Sequence, residues 1–526
     1  MNKNYVCYIK GGFCHPFFIL MIYVIKRIFT FLLLFYSVVC FGSSLEPLPS
    51  IKNKLVFSFD QIDVVENEKM GLLGGSYLYP LGSGFHTGLG VYGAVTGDRG
   101  GFFTGGLQLT WDKDLTQKYF FSTQIFGGGG GGGAAPQGGG LMYRTSAEIG
   151  RHFADNRVAA GVSYINFPNG EIESSQLTFS YSRYFDNLHL SGYRPTSALL
   201  SAWQNALSKG FSSTQQTFSL QFLSYYPDNE NKGRGGKALT QRMDVLGVRW
   251  SQKLKNNYWF EFETAGAVSG GIDGFAQVLG GISYRLPLHK RFTFNSGSLI
   301  GAAGGGDVDT GGGGIVRAYT GIDILINDRW QINNQIGMNW AVDGAFLAPF
   351  TSINLVYAFS SFYPTKTEPA HFNNQKIHWR QLRIRSGVQT YFAMNQASRK
   401  SNTIEPVNVD LASLKLDAYI NSWMFLSGHA LGAATGGAGG YAAGLVGPGF
   451  QFARYVSLEL LIGAAGGGGL AVGEGKIFQP MLNFELPISN SFGFEASLGY
   501  IEAIGGGMSG PVSNFSIAYY FMQPYR

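Results

Sequence analysis

Cysteine and charge are what this chain has least of. Only three of its 526 residues are cysteines, and Cys7, Cys14 and Cys40 all lie in the first 40 positions. From Phe41 onward, then, no disulfide and no thiolate metal site can form. Asp, Glu, Lys and Arg together make up 14% of the chain, against roughly a quarter in ordinary soluble proteins. Beyond the N-terminal segment no apolar run reaches the roughly 20 residues that a membrane-crossing helix needs. Catalytic signatures are scarce as well. The eight histidines are scattered with no HExxH spacing, so nothing points to a zinc hydrolase. GRGGKALT (Gly233 to Thr240) lacks the GxxxxGK[ST] spacing of a phosphate loop. Ser83, His86 and Asp98 could be grouped as a hydrolase constellation, but nothing equivalent recurs later in the chain. The reading is a protein without catalytic chemistry, cofactor or metal.

What is abundant is an unusual pair: 76 glycines alongside 15% aromatics. Disordered Gly-rich tracts normally lack aromatics. Low charge, many Tyr and Phe, and no spanning helix together fit a membrane β-barrel. Lys26-Arg27 followed by IFTFLLLFYSVVCFG has the layout of a secretory signal peptide, with cleavage expected near Gly42. An uncleaved anchor is the alternative, and a lipoprotein reading of Cys40 is disfavoured by Val39. The extension before it leaves either Met1 or Met21 as the start. Removing residues 1–42 takes away Lys3, Lys10, Lys26 and Arg27 and no acid, so the net charge falls from +6 to +2. The basic balance belongs mainly to the targeting segment and gives no support to nucleic-acid binding.

Landmarks recur along the chain. Gly runs open at Gly127, Gly301 and Gly463, spaced 174 and 162 apart. YGAVTG, AGAVSG and LGAATG place Gly93, Gly266 and Gly432 at spacings of 173 and 166. LTFSYSRYF, SINLVYAF and NFSIAYYF end at Phe185, Phe359 and Phe521, again 174 and 162 apart. Three homologous units follow: 43–186, 218–359 and 382–526. Linkers occupy 187–217 and 360–381, the first with a short amphipathic helix expected in TSALLSAWQNALSKGF.

Within a unit the period is 2. RWQINNQIGMNW places Trp330, Ile332, Ile336, Met338 and Trp340 on one face and Gln331, Asn333, Gln335 and Asn339 on the other. That is the pattern of a strand between lipid and a wet interior; a half-buried soluble sandwich is the competing reading. In the third unit the strands are expected near 382–392, 411–422, 424–434, 441–453, 455–466, 476–487, 492–502 and 513–521. Eight per unit gives about 24. The fold class is therefore all-β, an antiparallel transmembrane barrel of three eight-stranded units. A single ring of about 24 strands is the first expectation and three separate barrels the alternative. The Gly runs are expected at the outer ends of strands 5 and 6. There they allow sheet curvature, close approach of another backbone, or a Gly-lined lip at the mouth.

Across residues 43–526 this pattern resembles the Gram-negative outer-membrane β-barrel proteins in architecture. Two features depart from them: MQPYR follows the terminal aromatic Phe521, and Asn514 stands where Gly is common. The resemblance implies an outer-membrane location, with membrane lipid, lipopolysaccharide and the barrel-assembly machinery as partners. The first functional expectation is a channel or export pore. The alternative is a structural or surface-interaction protein of three small barrels, and a lipid-modifying enzyme trails. Two polar features accompany this. Glu148, Asp323 and Glu485 lie on strand 6 of each unit and are expected to face a lumen. Lys232, Arg234, Lys237 and Arg242, with Arg399 and Lys400, form basic loops suited to lipopolysaccharide phosphates or simply solvated.

Overall fold

The computed structural model describes residues 51–65, 68–187, 190–192, 211–228, 233, 235–236, 238–239, 241–364, 378–394 and 407–525. Period-2 sequences produce long antiparallel strands throughout. The first group comprises β1 (Ile51–Asp63), β2 (Lys69–Gly82), β3 (Phe85–Thr96), β4 (Phe103–Asp114), β5 (Tyr119–Gly131), β6 (Leu141–Phe153), β7 (Asn156–Asn166) and β8 (Glu173–Asn187). A two-residue strand, β9 (Leu190–Ser191), follows. The second group is β10 (Phe211–Tyr225), β11 (Met243–Lys253), β12 (Tyr258–Ser269), β13 (Ala276–His289), β14 (Phe292–Gly304), β15 (Gly314–Leu325), β16 (Trp330–Ala341) and β17 (Leu347–Pro364). The third is β18 (His378–Met394), β19 (Val407–Tyr419), β20 (Met424–Ala433), β21 (Ala442–Ala453), β22 (Val456–Gly466), β23 (Lys476–Pro487), β24 (Phe492–Ala503) and β25 (Ser509–Tyr525). Strands β10, β17 and β18 extend into the segments read as linkers. The expected amphipathic helix falls almost wholly outside the described residues.

Each group closes on itself. β1 pairs with β8 through Lys54↔Tyr184 and Phe57↔Tyr181. β10 pairs with β17 through Thr217↔Ala358, and β18 with β25 through Arg383↔Tyr520. A single 24-strand ring would need ladders from β8 to β10 and from β17 to β18; among the described residues β8 pairs along its length with β1 and β7, β17 with β10 and β16, and β18 with β19 and β25. The fold is thus three closed eight-stranded units. Their closing strands meet only at their ends, where Ser361 pairs with Tyr525 and β9 adds to β25 at Phe521↔Ser191.

The side chains are distributed inside out relative to a soluble protein. Large apolar residues cover the outer walls: Ile149, Leu177 and Ile336 are each at least 60% exposed. Polar residues point inward on the same strands, as with Asn333, Gln335 and Asn339 of β16, all buried. Both faces follow the alternation read from the sequence.

Inside each barrel the two ends differ. At the end of the 1–2, 3–4, 5–6 and 7–8 hairpins the interior is apolar. The first barrel packs Ile62, Leu72, Tyr92, Phe102, Met142 and Ile165 there. The others have their own clusters around Leu223, Phe275 and Phe350 and around Leu431, Tyr441 and Ile477. Toward the opposite end, where the chain enters and leaves, the interior is filled with charged and amide side chains.

The glycine runs make the seams between barrels. Outward-facing Gly93 of β3 lies against Ala302 of the second barrel, so that an added Cβ would sit 2.9 Å from the alanine methyl. Gly266 of β12 faces Ala464 of the third barrel in the same way, at 3.1 Å. Gly432 of β20 faces Gly129 of the first, where a Cβ would come within 2.5 Å of the carbonyl oxygen. The 3–4 hairpin of each barrel therefore docks on the 5–6 hairpin of the next, and the cycle closes after three steps. Backbone hydrogen bonds cross two of the seams: Gly100 N–H donates to Gly311 O (2.9 Å) and Gly440 N–H to Gly130 O (3.2 Å). Of the roles open to these glycines, close backbone approach is the one seen at the seams.

Candidate functional site

The polar half of each interior is the place where chemistry could occur. In the first barrel Arg144 of β6 reaches across to Asp60 of β1 (2.9 Å) and donates to Thr178 Oγ1 (3.0 Å). Lys54 pairs with Asp112 at 2.8 Å, and Ser122 and Tyr184 donate to the same carboxylate. In the second, Arg249 pairs with Glu263 (2.7 Å) and Arg285 with Glu261 (3.0 Å), while Arg317 joins Glu263 and the Tyr225 hydroxyl. In the third, Arg385 bridges Asp417 (2.6 Å), Glu495 (2.6 Å) and Glu459, and Lys415 also holds Glu459 (3.0 Å).

The three acids singled out from the sequence all point inward and are buried, but each lies in a different closed interior. Glu148 accepts from Gln124 (2.8 Å), Ser146 (2.7 Å) and Ser180. Asp323 accepts from Asn333 at 2.5 Å. Glu485 pairs with Arg383 at 2.5 Å. Nor do they share one register. Asp323 stands opposite Asn333, and Asn333 opposite Asn354; Glu485, Glu495 and Ser516 repeat that row in the third barrel. In the first barrel the row is Gly150, Ala159 and Ser180, which puts Glu148 one inward step deeper.

Of the basic loops, Arg242 is described: more than half exposed, it pairs with Asp244 at 2.8 Å. Lys232, Arg234, Lys237, Arg399 and Lys400 lie outside the described residues. Ser83, His86 and Asp98 do not converge, because Ser83 lies in the β2–β3 turn and His86 at the start of β3, whereas Asp98 follows its far end. Among the described residues no cluster of His, Cys, Asp and Glu could hold a metal ion.

The arginine–carboxylate networks were not singled out from sequence. Their signal was present in LMYRTSAEIG, where Arg144, Ser146 and Glu148 share one parity while Tyr143 and Ile149 take the other. A buried charge on a strand with apolar neighbours is tolerated only if paired.

Free space in these interiors is small. The second barrel encloses about 10 Å³ between Arg249, Glu261, Arg285, Asn295 and Asp323, room for roughly one water. The first has a larger cleft at its turn-side mouth, about 250 Å³.

Neither a protein-family model nor a curated protein matches the chain. Among solved structures it is similar to the ferric enterobactin receptor PfeA, at 10% identity over 90% of this chain and 82% of that one, TM-score 0.26. It is also similar to the siderophore receptor PirA from Pseudomonas aeruginosa, at 10% identity over 91% and 81%, TM-score 0.26. The porin NanC aligns at 10% identity over 57% of this chain and 98% of its own, TM-score 0.16. Nothing about ligand or activity follows from likeness at this level.

Proposed function

We propose that the protein is a Gram-negative outer-membrane protein with a structural or surface-interaction role, its three sealed barrels held in one ring by a single chain. The observation that carries this reading is the inverted side-chain distribution. Apolar outer walls suit lipid, and each interior is packed with its own paired charges. Eight-stranded barrels are narrow enough for side chains to fill them. A channel or export pore, the first expectation from the sequence, draws no support from such interiors. Membrane lipid, lipopolysaccharide and the assembly machinery are the partners this reading implies.

The test is cell fractionation joined to planar-bilayer recording of the refolded protein. The expected results are outer-membrane recovery, a heat-modifiable band on gels and no conductance steps. The variant Glu148→Gln, Asp323→Asn, Glu485→Gln should record identically and be less stable. Cation-selective steps that vanish in this variant would instead establish a conducting pore.

A further inference from the structure

The mouth of the first barrel carries more charged and imidazole side chains than its two counterparts. Its cleft is lined by Lys52, Pro80, His86, His152, Asp155, Arg157 and Tyr184. Lys52 (β1), His86 (β3), His152 (β6) and Arg157 (β7) all have the inward parity of their strands, and His152 and Arg157 stand side by side on one rung. The strand ladders fix what stands at the same places elsewhere. Lys52 lies opposite Asp186; Gln215 opposite Ser360 and Gln381 opposite Met522 occupy that rung in the other barrels. His86 is seven residues before Gly93, as Trp259 is before Gly266 and Phe425 before Gly432. Arg157 faces Ser182 and His152. Its counterparts are Gln331, facing Val356 and Leu325, and Gly493, facing Ala518 and Pro487.

So two cations and two imidazoles replace residues that are neutral in both other barrels. The aromatic exchange also opens the space. Trp259, stacked under Arg285 at 4.0 Å, stops the second mouth. Phe425, fully buried, stops the third. His86 is smaller than either and leaves the cleft open.

Acids face this mouth as well and already neighbour its basic groups: Asp186 stands opposite Lys52 on its rung, and His86 lies 3.9 Å from Asp112. Asp112 on its floor is held by Lys54, Ser122 and Tyr184. Asp114 lies 3.1 Å from His152 and 3.6 Å from Arg157, and Asp155 sits on the rim. Arg157 is 3.7 Å from Asp112, beyond a good hydrogen bond, and donates to the Tyr184 hydroxyl at 3.1 Å. His86 has a ring nitrogen 3.2 Å from Gly84 O.

We propose that the first barrel's mouth is a binding site for a phosphate group, held from three sides by Lys52, by His86 and by the His152–Arg157 pair. A tetrahedral oxyanion presents acceptors in all those directions, whereas a planar carboxylate presents them in one plane. A cleft of about 250 Å³ leaves room for a substituent on the phosphate, either a soluble ester or a lipid headgroup.

The test uses the full-length protein in phosphate-free detergent, titrated calorimetrically with inorganic phosphate and with glycerol 3-phosphate. A parallel arm measures retention of phosphatidylglycerol by native mass spectrometry. Two variants borrow residues from the other barrels: Lys52→Gln with Arg157→Gln, and His86→Phe. His86→Phe should keep the wild-type urea midpoint within experimental error, and the double variant, which takes Arg157 away from Asp112 and Asp114, should unfold at lower urea yet still give the heat-modifiable folded band in which binding is measured. Binding in the responsive arm should weaken at least tenfold in the first variant and vanish in the second, whose ring fills the cleft. Response only to the soluble ligands identifies a free phosphate ester, and response only to the lipid identifies a headgroup. Failure of the wild type to bind in either arm, or equal binding by both variants, overturns the proposal.

Discussion

Replacing Gly129 by alanine should loosen the seam between the first and third barrels, and Gly127 supplies the control from the same run. Both glycines face outward on β5, two residues apart, and neither has a positive φ. A Cβ at Gly127 would meet only the Tyr143 ring of its own barrel, at an ordinary 3.8 Å. A Cβ at Gly129 would meet the carbonyl oxygens of Gly432 at 2.6 Å and Ala433 at 2.7 Å, both across the seam. Those are backbone atoms in a paired strand, so no rotamer change relieves the clash, and the hairpins must separate by roughly 0.8 Å to reach ordinary contact. Overpacking of this kind costs about 1–3 kcal/mol, and backbone on the far side places this case near the upper end. The strand itself gains about 0.5–1 kcal/mol from losing a glycine. Gly127→Ala should therefore stabilise slightly, while Gly129→Ala should destabilise by about 2 kcal/mol net. Urea unfolding of the refolded protein in vesicles, followed by tryptophan fluorescence, measures the difference. Equal midpoints for the two variants would refute the claim that these glycines exist to let backbones touch.

Ile336→Arg places a charge on the outer wall at mid-strand of β16, where the native side chain is 60% exposed. It should cost about 2–4 kcal/mol and lower insertion yield into vesicles if that wall faces lipid, and almost nothing if it faces water. Arg385→Leu leaves the Asp417, Glu459 and Glu495 carboxylates sharing too few cations. A loss of about 3–5 kcal/mol is expected in the same urea assay, and a loss under 1 kcal/mol would show that water already solvates this interior.

Strands were the most legible part of the sequence. The third unit's eight expected segments fall on β18 to β25, with ends displaced by at most four residues, because alternation between an exposed apolar wall and a polar interior is strict. Strand ends were less clear, since β10, β17 and β18 continue past the last clean alternation into segments of mixed polarity. The role of the glycines could be narrowed but not decided. A run such as Phe126 to Gly133 allows curvature and close approach equally, and only the position of a second barrel selects between them. Glu148, Asp323 and Glu485 have the parity of their strands' polar face, and each stands in a separate interior. Asp323 and Glu485 share a row, whereas Glu148 sits a step deeper: it stands opposite Ser122, five residues before Gly127, while Asp323 stands opposite Thr293, eight before Gly301. Counting along the chain from a Gly landmark to the acid cannot register such a shift. Of the four residues at the first barrel's mouth only His86 stood out in the sequence, because the four come from four strands.

How many rings the strands make can be argued from charge. Side chains from opposite walls meet inside each unit: Arg144 of strand 6 reaches Asp60 of strand 1, and Arg385 of strand 1 reaches Glu459 of strand 5. Barrel diameter grows roughly linearly with strand number, so in a ring of 24 strands those walls would stand too far apart to touch. A narrow barrel must also neutralise its interior locally, because no water column is there to screen an excess. The buried and half-buried inward-facing ions come within one charge of this unit by unit. Lys54, Arg144 and Arg157 stand with Asp60, Asp112 and Glu148 in the first, and Arg249, Arg285 and Arg317 with Glu261, Glu263 and Asp323 in the second. The third sets Arg383, Arg385 and Lys415 against Asp417, Glu459, Glu485 and Glu495. A wide aqueous lumen would impose no such balance within each third of its wall. The near-matching of charge inside every eight-strand repeat is thus a property of the sequence that separates three filled barrels from one open ring.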